Sequence, residues 1–377
     1  MGSRYWNQKK RKKLTISISY HHFGEFFQND GRPSNKEKKA AIKKTTIKDV
    51  AALADVSIKT VSRVVNKESN LREATRDKVL KAIKKLNYTP NLSARGLAGH
   101  HSFLFAVLYD NPSANYILDI QNGVLKECRK EGFDLLIYPC EANSKKLYQE
   151  IIELVKKSRV AGLILTPPLS DMAPLQKKLK KEKIPFVRIA PTHHDLISPF
   201  VHCDDQTAAC RMTEHLLSLG HSDIAFIKGH PDHGASELRL AGYKKALKQA
   251  GLPINRTFIR QGQFDFNLGV RCGKELLTMD PPPTAIFACN DDMAAGVLYL
   301  AHQMKVSVPQ QLSVVGFDDS PVAQQVWPAL TTVKQPIIDM AQSATAVLIA
   351  NLRKNTTQNI VQAFECTLAI RDSTSAI

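Results

Sequence analysis

The sequence predicts an all-α helix-turn-helix head followed by an α/β body built on parallel sheets. Three observations carry this reading. From Thr45, short segments of helical periodicity are separated by turn residues. From Phe103, apolar runs alternate with amphipathic stretches to the end of the chain. The charge is also sharply divided. Residues 1–99 hold 23 Lys+Arg against 8 Asp+Glu, while the remaining 278 hold 29 against 27. Nearly all of the net +17 therefore sits at the N-terminal end, as expected for a nucleic-acid-binding head on a near-neutral body. A chain of 377 residues is long enough for two or three domains and a large core.

Residues 1–44 show no clean periodicity and two Lys/Arg clusters. They are expected to be a disordered basic extension that adds non-specific DNA attraction, or the product of an upstream translation start. The seven cysteines are scattered and form no CxxC, so reduced thiols are the simple reading. No apolar run has the length of a membrane span. The basic run from Lys9 to Lys13 leads only into TISISY, a poor signal-peptide core. A cytoplasmic protein without a membrane partner is the expectation.

Residues 45–90 read as three helices. Thr46 and Asp49 have capping-box spacing, with Asp in place of Glu or Gln. Ile47, Val50, Ala51 and Ala54 recur at helical intervals. Asp55, Val56 and Ser57 fit a tight turn, with Ser57 as N-cap of the second helix. On that helix Val61, Val64 and Val65 face inward, and Lys59, Thr60, Ser62, Arg63 and Asn66 are left outward. Valines are mediocre helix formers, so tertiary packing must hold the helix. A third helix is expected from about Arg72 to Asn87, packing Val79, Ala82, Ile83 and Leu86. The outward set mixes long cationic and amide groups with short hydroxyls. Such a set can bond base edges and phosphates in a major groove. The plainer alternative is a three-helix domain with a solvated basic face.

The segments VAALADVSIKTVSRVVN and LNYTPNLSARGLAG closely resemble the head of the lactose-repressor (LacI/GalR) family of bacterial transcription regulators. The resemblance continues through most of the chain from Thr45 onward. It implies that Ile58, Lys59 and Arg63 read bases, while Ser57, Thr60, Ser62 and Asn66 mainly meet phosphates. It also implies a hinge helix within residues 91–99, in which Asn91, Ala94, Arg95 and Leu97 contact DNA. Leu97 would wedge into the central base step and kink the duplex. Gly96 beside it costs roughly 1 kcal/mol relative to Ala in a helix, which suits a hinge that folds only on DNA.

In the body, FLFAVLY, FDLLIY, VAGLIL, IPFVRI, DIAFIKG, AIFAC and LSVVGF read as buried strands. Helix candidates lie between them at 117–130, 147–157, 205–219, 238–250, 268–278 and 292–304. This alternation indicates parallel sheets. The resemblance implies that residues 100–377 form two lobes like a periplasmic sugar-binding protein, with the ligand in the cleft between them. Ligands of open parallel sheets sit at the C-terminal ends of strands, which selects Asp110, Asn111, Asn290 and Asp318. Arg239 in ELRLAGY matches the family's R-x-x-G-[YFW] segment and would bind ligand hydroxyls or a carboxylate. Phe266 aligns with an aromatic that stacks on a sugar in some relatives, and Gln335 lies at a crossover between lobes. Ser170 stands where the lactose repressor has an acidic sugar contact, so a lactose-like ligand is not implied. Each of these residues also has a plain structural reading, as a cap, a turn residue or core.

The expected function is thus a repressor, a homodimer on a near-palindromic double-stranded operator, controlled by a small molecule, with a saccharide favoured. The terminus LAIRDSTSAI lacks a leucine heptad, so a tetramerising coiled coil is not expected. The alternatives are control by a purine-type corepressor or by a protein partner, and, more remotely, a sugar-processing enzyme. Asp318 and Asp319 are adjacent and should point apart, unlike converging acid/base carboxylates. His193/His194 and His230/His233 lack a convincingly spaced third ligand, and no phosphate loop or GxSxG occurs. No cofactor is expected.

Overall fold

The computed structural model describes residues 45–65, 71–88, 103–195, 197–354, 356 and 359–377. The chain divides into two compact units that part after residue 90. In the first, α1 (Ile47–Ala54), α2 (Ile58–Val65) and α3 (Glu73–Lys85) pack together. The Asp49 carboxylate accepts from both the backbone N–H and the hydroxyl of Thr46, each at 2.7 Å. Asp55 closes α1 in the left-handed region, φ 50°. Ser57 Oγ then caps α2 by accepting from Thr60 N–H at 3.1 Å. Val50, Val61 and Val79 are fully buried at the centre, with Ala51, Ala54, Val64 and Ala82 around them. Helix α3 stops at Lys85, ahead of the expected end, because Asn87 turns left-handed at φ 45°. Asn66 and the expected hinge segment 91–99, with Asn91, Ala94, Arg95 and Leu97, lie outside the described residues.

The second unit holds two six-stranded sheets. Its first sheet contains β1 (Leu104–Tyr109), β2 (Asp134–Pro139), β3 (Gly162–Leu165), β4 (Phe186–Ile189), β5 (Phe200–Cys203) and β11 (Val361–Phe364), in the order β11-β5-β4-β3-β1-β2. Every neighbouring pair in it is parallel. The second contains β6 (Ile224–Lys228), β7 (Ile259–Gln261), β8 (Ala285–Ala288), β9 (Ser313–Asp318), β10 (Thr331–Lys334) and β12 (Thr367–Ala369), in the order β12-β10-β9-β8-β6-β7. Only β12 runs antiparallel to its neighbour. The helices are α4 (Ala114–Glu131), α5 (Leu147–Ser158), α6 (Ala173–Lys181), α7 (Asp205–Ser218), α8 (Gly234–Gln249), α9 (Phe266–Leu277), α10 (Asp291–Gln303), α11 (Val322–Gln325) and α12 (Ile337–Lys354). The chain crosses between the lobes three times: after β5, after β10, and between β11 and β12.

All seven expected apolar runs are strands. Strands β5, β7, β10, β11 and β12 were not expected, nor were α6, α11 and α12. The RLAGY segment shows why its residue types recur as a unit. Arg239 enters the cleft described below. Tyr243, fully buried, donates its hydroxyl to the Ile224 carbonyl at 2.7 Å. Gly242 lets α8 touch α7, since a Cβ there would stand 2.1 Å from the Gln206 carbonyl oxygen and 2.8 Å from Cys210 N. Both contacts are backbone, so the helices must part to admit a side chain. Gly242→Ala should therefore destabilise the body by about 1–3 kcal/mol, the usual cost of overpacking. An unchanged thermal unfolding midpoint would contradict the close-packing account.

Candidate functional site

Two surfaces concentrate the chemistry. On the head, α2 presents Ser57, Ile58, Lys59 and Arg63 exposed, with Thr60 and Ser62 half-buried. Burial of Val61 and Val64 on the opposite side fixes which face points out. Ile58 stays 46% exposed beside these polar groups, an uncompensated apolar residue at a helix start. A helix with an apolar tip, cations and hydroxyls on one face has the chemistry for major-groove contacts.

In the body, a cleft lies at the C-terminal ends of the strands. Asn111 and Ser113 follow β1, and Pro167 and Ala190 follow β3 and β4. Asp205 opens α7, and His233 and Arg239 come from the start of α8. Phe264, Asn290, Asp318 and Gln335 complete the lining, with Tyr116 of α4 and Ala235 of α8. Arg239 is the centre. Its Nε donates to Asp205 Oδ1 at 2.7 Å, its Nη1 donates to the Cys289 carbonyl at 2.6 Å, and Asp318 Oδ1 stands 3.6 Å from Nη1. The guanidinium carbon lies 3.6 Å from the centroid of the Phe317 ring. Gln335 donates to Asp318 Oδ1 at 2.6 Å.

Burial sets the electrostatics. It pulls the Arg239 guanidinium down, but the Asp205 and Asp318 carboxylates outweigh it and hold that pKa above its ordinary value. Burial pushes Asp318 up to about 7, against the opposing pull of Arg239 and the Gln335 hydrogen bond. The Tyr116 hydroxyl is raised by burial, with Cys203 and Asp318 adding to it. Burial, then His230, pushes His233 down to about 4. Its neutral ring meets the Asp110 carbonyl through Nε2 at 3.0 Å.

Several bonds bridge the two lobes across the cleft. Ser113 Oγ and Asn115 Nδ2 both donate to the Asp292 carboxylate, at 2.8 and 3.2 Å. Asn143 Nδ2 donates to Asp232 at 3.0 Å.

Of the residues expected from sequence, Asn111, Arg239, Asn290, Asp318 and Gln335 line the cleft. Asp110 does not; its carboxylate turns back to accept from Ala142 N–H at 2.8 Å. Phe266 does not either. It is the first residue of α9, 41% exposed and packed against Tyr299. Asp265 caps that helix by accepting from Leu268 N–H at 3.0 Å, and the aromatic on the cleft side of the cap is Phe264, at φ 64°. Asn290 is largely spent on the protein: Oδ1 caps α10 through Met293 N–H, and Nδ2 donates to the Phe264 carbonyl. Ser170 is fully buried and outside the lining. Asp319 faces Arg371, while Asp318 faces Arg239, so the two carboxylates diverge. Among the described residues no group of three His, Cys, Asp or Glu side chains is placed to hold a metal ion. Ser113, Tyr116, Asp205, His233 and Phe264 were not singled out as effector contacts. An Asp–Asp pair at 204–205 ahead of a helix was the available signal for Asp205.

A basic helix-turn-helix head joined to a two-lobed body with a polar cleft defines a ligand-responsive DNA-binding protein. Comparison with known proteins agrees. Residues 46–91 match the bacterial regulatory proteins of the lacI family, and residues 213–374 match a periplasmic binding protein-like domain. Catabolite control protein A of Priestia megaterium is 32% identical over 332 residues, 87% of this chain and 99% of that protein. A solved lac repressor dimer bound to operator and the anti-inducer ONPF is 28% identical with TM-score 0.72, covering 89% of this chain and 100% of that one. The complex of transcriptional regulator CelR with cellobiose is 29% identical with TM-score 0.67, covering 87% and 99%. The chain belongs to the lacI family of bacterial regulatory proteins and is a DNA-binding transcriptional regulator. Among the described residues no helix is long and apolar enough to cross a membrane.

The raised Asp318 carboxyl has a stability consequence. Folded, it keeps its proton up to about pH 7; unfolded, it releases it near 3.8. Between those values the folded chain binds more protons, so this group's contribution to stability falls as pH rises and levels off above 7. In thermal melts of wild type and Asp318→Asn across this range, the difference in midpoint should move in the variant's favour as pH rises from 4 to 7. A pH-independent difference would show that Asp318 is not held protonated.

Proposed function

We propose that this chain is an allosteric repressor whose operator affinity is set by a neutral saccharide in the body cleft. The observation that carries this reading is the buried Arg239 held by two carboxylates. The close Asp205 pair matches its charge, and Asp318 adds negative charge only where it is ionised, so the site has no net positive charge to offer a phosphate or a carboxylate ligand. It instead offers closely spaced donors and acceptors suited to hydroxyls. With Nε and Nη1 engaged, Nη2 of Arg239 and Oδ2 of Asp318 are the groups directed to ligand, with Asn111, Tyr116 and His233 beside them and Phe264 as the apolar face. Gln335 and Asn290 act by holding Asp318 and Phe264. The cellobiose bound to CelR supports a saccharide class. The chain does no catalysis in this reading.

On the head, Ile58, Lys59 and Arg63 read bases, and Ser57, Thr60 and Ser62 meet phosphates. Residues 45–90 form the DNA-reading domain, 91–99 the hinge and 100–377 the effector and dimer body, with 1–44 an extension. Two copies read a near-palindrome, as the dimer on operator of the lac repressor supports. Trp327, 89% exposed, is an apolar surface that a second copy would cover. The protein acts in the cytoplasm, where its DNA is.

The test is calorimetry on the full chain with mono- and disaccharides, sugar phosphates and purines, followed by operator binding with each hit. DNA selected from a random library supplies the operator. A neutral saccharide should bind and change operator affinity about 5–150-fold, the usual range of such coupling. The direction of that change decides inducer or corepressor. A purine or sugar phosphate that binds where neutral sugars fail would overturn the effector class. Arg63→Ala should lose about 1–3 kcal/mol of operator discrimination at one base pair, with saccharide affinity retained. Unchanged base preference in that variant would remove Arg63 from the reading face.

A further inference from the structure

The body is near neutral as a whole, yet its charge is unevenly spread. Residues 145–183 hold ten Lys+Arg against four Asp+Glu, and the rest of residues 100–377 hold 19 against 23. This basic stretch contains α5 and α6, which cover one face of the first sheet. Leu147 and Ile151 of α5 and Leu175 and Leu179 of α6 share one apolar cluster with Leu108, Leu163 and Leu165. Lys178 Nζ lies 4.5 Å from the centre of the Tyr148 ring, so the two helices lie side by side.

The parallel order of the sheet fixes where the cations gather. α5 leads into β3 and α6 into β4, and these strands are parallel neighbours. Both helices therefore run back against the strands and end at the strands' N-terminal edge, opposite the cleft. Lys156 and Lys157 stand in the last turn of α5, and Arg159 is its C-cap. Lys180 and Lys181 stand in the last turn of α6, and Lys183 follows. Leu163 N–H donates to the Pro185 carbonyl at 2.9 Å, which holds the entries to β3 and β4 together. Six exposed cations thus share one end of the lobe. Among the described residues only Lys157 of the six is ion-paired, to Glu153 at 2.9 Å. On the other face of the sheet, the ends of α4 and α12 carry neutralising pairs: Glu127 holds Lys130 at 3.1 Å and Glu131 holds Arg353 at 2.7 Å.

We propose that this basic end is a second, sequence-independent DNA contact that grips the phosphates of duplex flanking the operator. Among the described residues, none of the exposed large apolar side chains lies between Leu118 and Ile254. The face therefore lacks the apolar anchors on which a protein interface depends. A DNA backbone needs none, because Lys and Arg charge is enough to hold it. The chain also arrives from the DNA-reading head at this end. Leu104 begins β1, and its carbonyl accepts at 2.7 Å from the N–H of Ala161, two residues after Arg159. A duplex held by the head is thereby tethered to this end of the lobe, which raises its effective concentration there. The contact is independent of the effector's identity.

The test compares the selected operator as a short duplex with the same operator extended by about two helical turns on each side. Full-length protein is titrated with each across a salt series, and a scrambled duplex of the longer length supplies the non-specific reference. The long duplex should bind more tightly, and its plot of log affinity against log salt should be steeper by about 0.9 for each added phosphate engaged. A variant carrying Lys156→Gln, Arg159→Gln, Lys180→Gln, Lys181→Gln and Lys183→Gln changes only exposed side chains. It should bind the short duplex like the wild type, which also checks its fold, and lose both the gain and the extra slope. Equal wild-type affinity for the two lengths would overturn the proposal. A gain that persists in the variant would do so too, since it would then come from the head or from residues 1–44. An equal loss on both lengths would place the cations on the operator itself and remove the flanking contact.

Discussion

The body depends on how it tolerates Arg239. A guanidinium this deeply buried costs several kcal/mol of lost hydration unless it is paired and hydrogen-bonded. Here the compensation comes from separate stretches of chain: Asp205 from the first residue of α7, Cys289 from the end of β8, and Phe317 and Asp318 from β9. Removing any one partner leaves charge exposed to a low-dielectric interior. The centre of the candidate site is therefore also a keystone of its lobe, and α7, α8 and β9 are held in register by the same charge that a ligand would meet. The close approach of α8 to α7 at Gly242 serves this arrangement, because Arg239 and Gly242 lie three residues apart and so share one side of α8.

A second constraint is the balance between the lobes. Ser113 and Asn115 on one lobe hold Asp292 on the other, and His233 holds the Asp110 carbonyl. A net contribution of about 0.5–1.5 kcal/mol for a typical hydrogen bond makes this small set comparable with the 1–3 kcal/mol of coupling that an effector usually exerts. The closed arrangement is thus biased by the chain's own contacts as well as by what fills the cleft. An effector need supply only the difference between its contacts in the closed and open forms.

The parts of this architecture with long-range apolar pattern were legible in the sequence, and those made by short or polar segments were not. Six strands showed as apolar runs because parallel sheets bury both faces, and the seventh, β2, is an apolar run that is only half-buried at a sheet edge. FVHC, IRQ and TTVK are three or four residues long and carry polar groups, and VQAF is largely exposed, so nothing in their pattern separates them from loop. The same cause hid one cleft residue, Asp205. Asp205 follows β5, and with that strand unseen it stood at no strand end. Phe264 and Phe266 flank one helix cap, and only the backbone turn at Phe264 decides which ring faces the cleft. Asp110 and Asn111 are adjacent after β1, and the turn sends one into the cavity and the other into the neighbouring loop. In the head, by contrast, valine spacing and two hydroxyl caps placed α1 and α2 to within a residue.

The state of Asp318 bears on what the cleft can recognise. A carboxyl with a pKa near 7 is shared between a form that donates and a form that only accepts. A hydroxyl can do either, so a polyol meets a partner in both forms and loses little as the pH moves through neutrality. A carboxylate or phosphate oxygen can only accept. It would need Asp318 protonated, and with Asp205 still beside Arg239 it would add a further negative charge to a site whose cation is already matched. A ligand cation would meet Arg239 at close range. In the proposed reading, the groups that let a buried arginine persist therefore also bias the cleft toward uncharged, hydroxyl-rich ligands, so that the same side chains would serve both the stability of the lobe and the selectivity of the site.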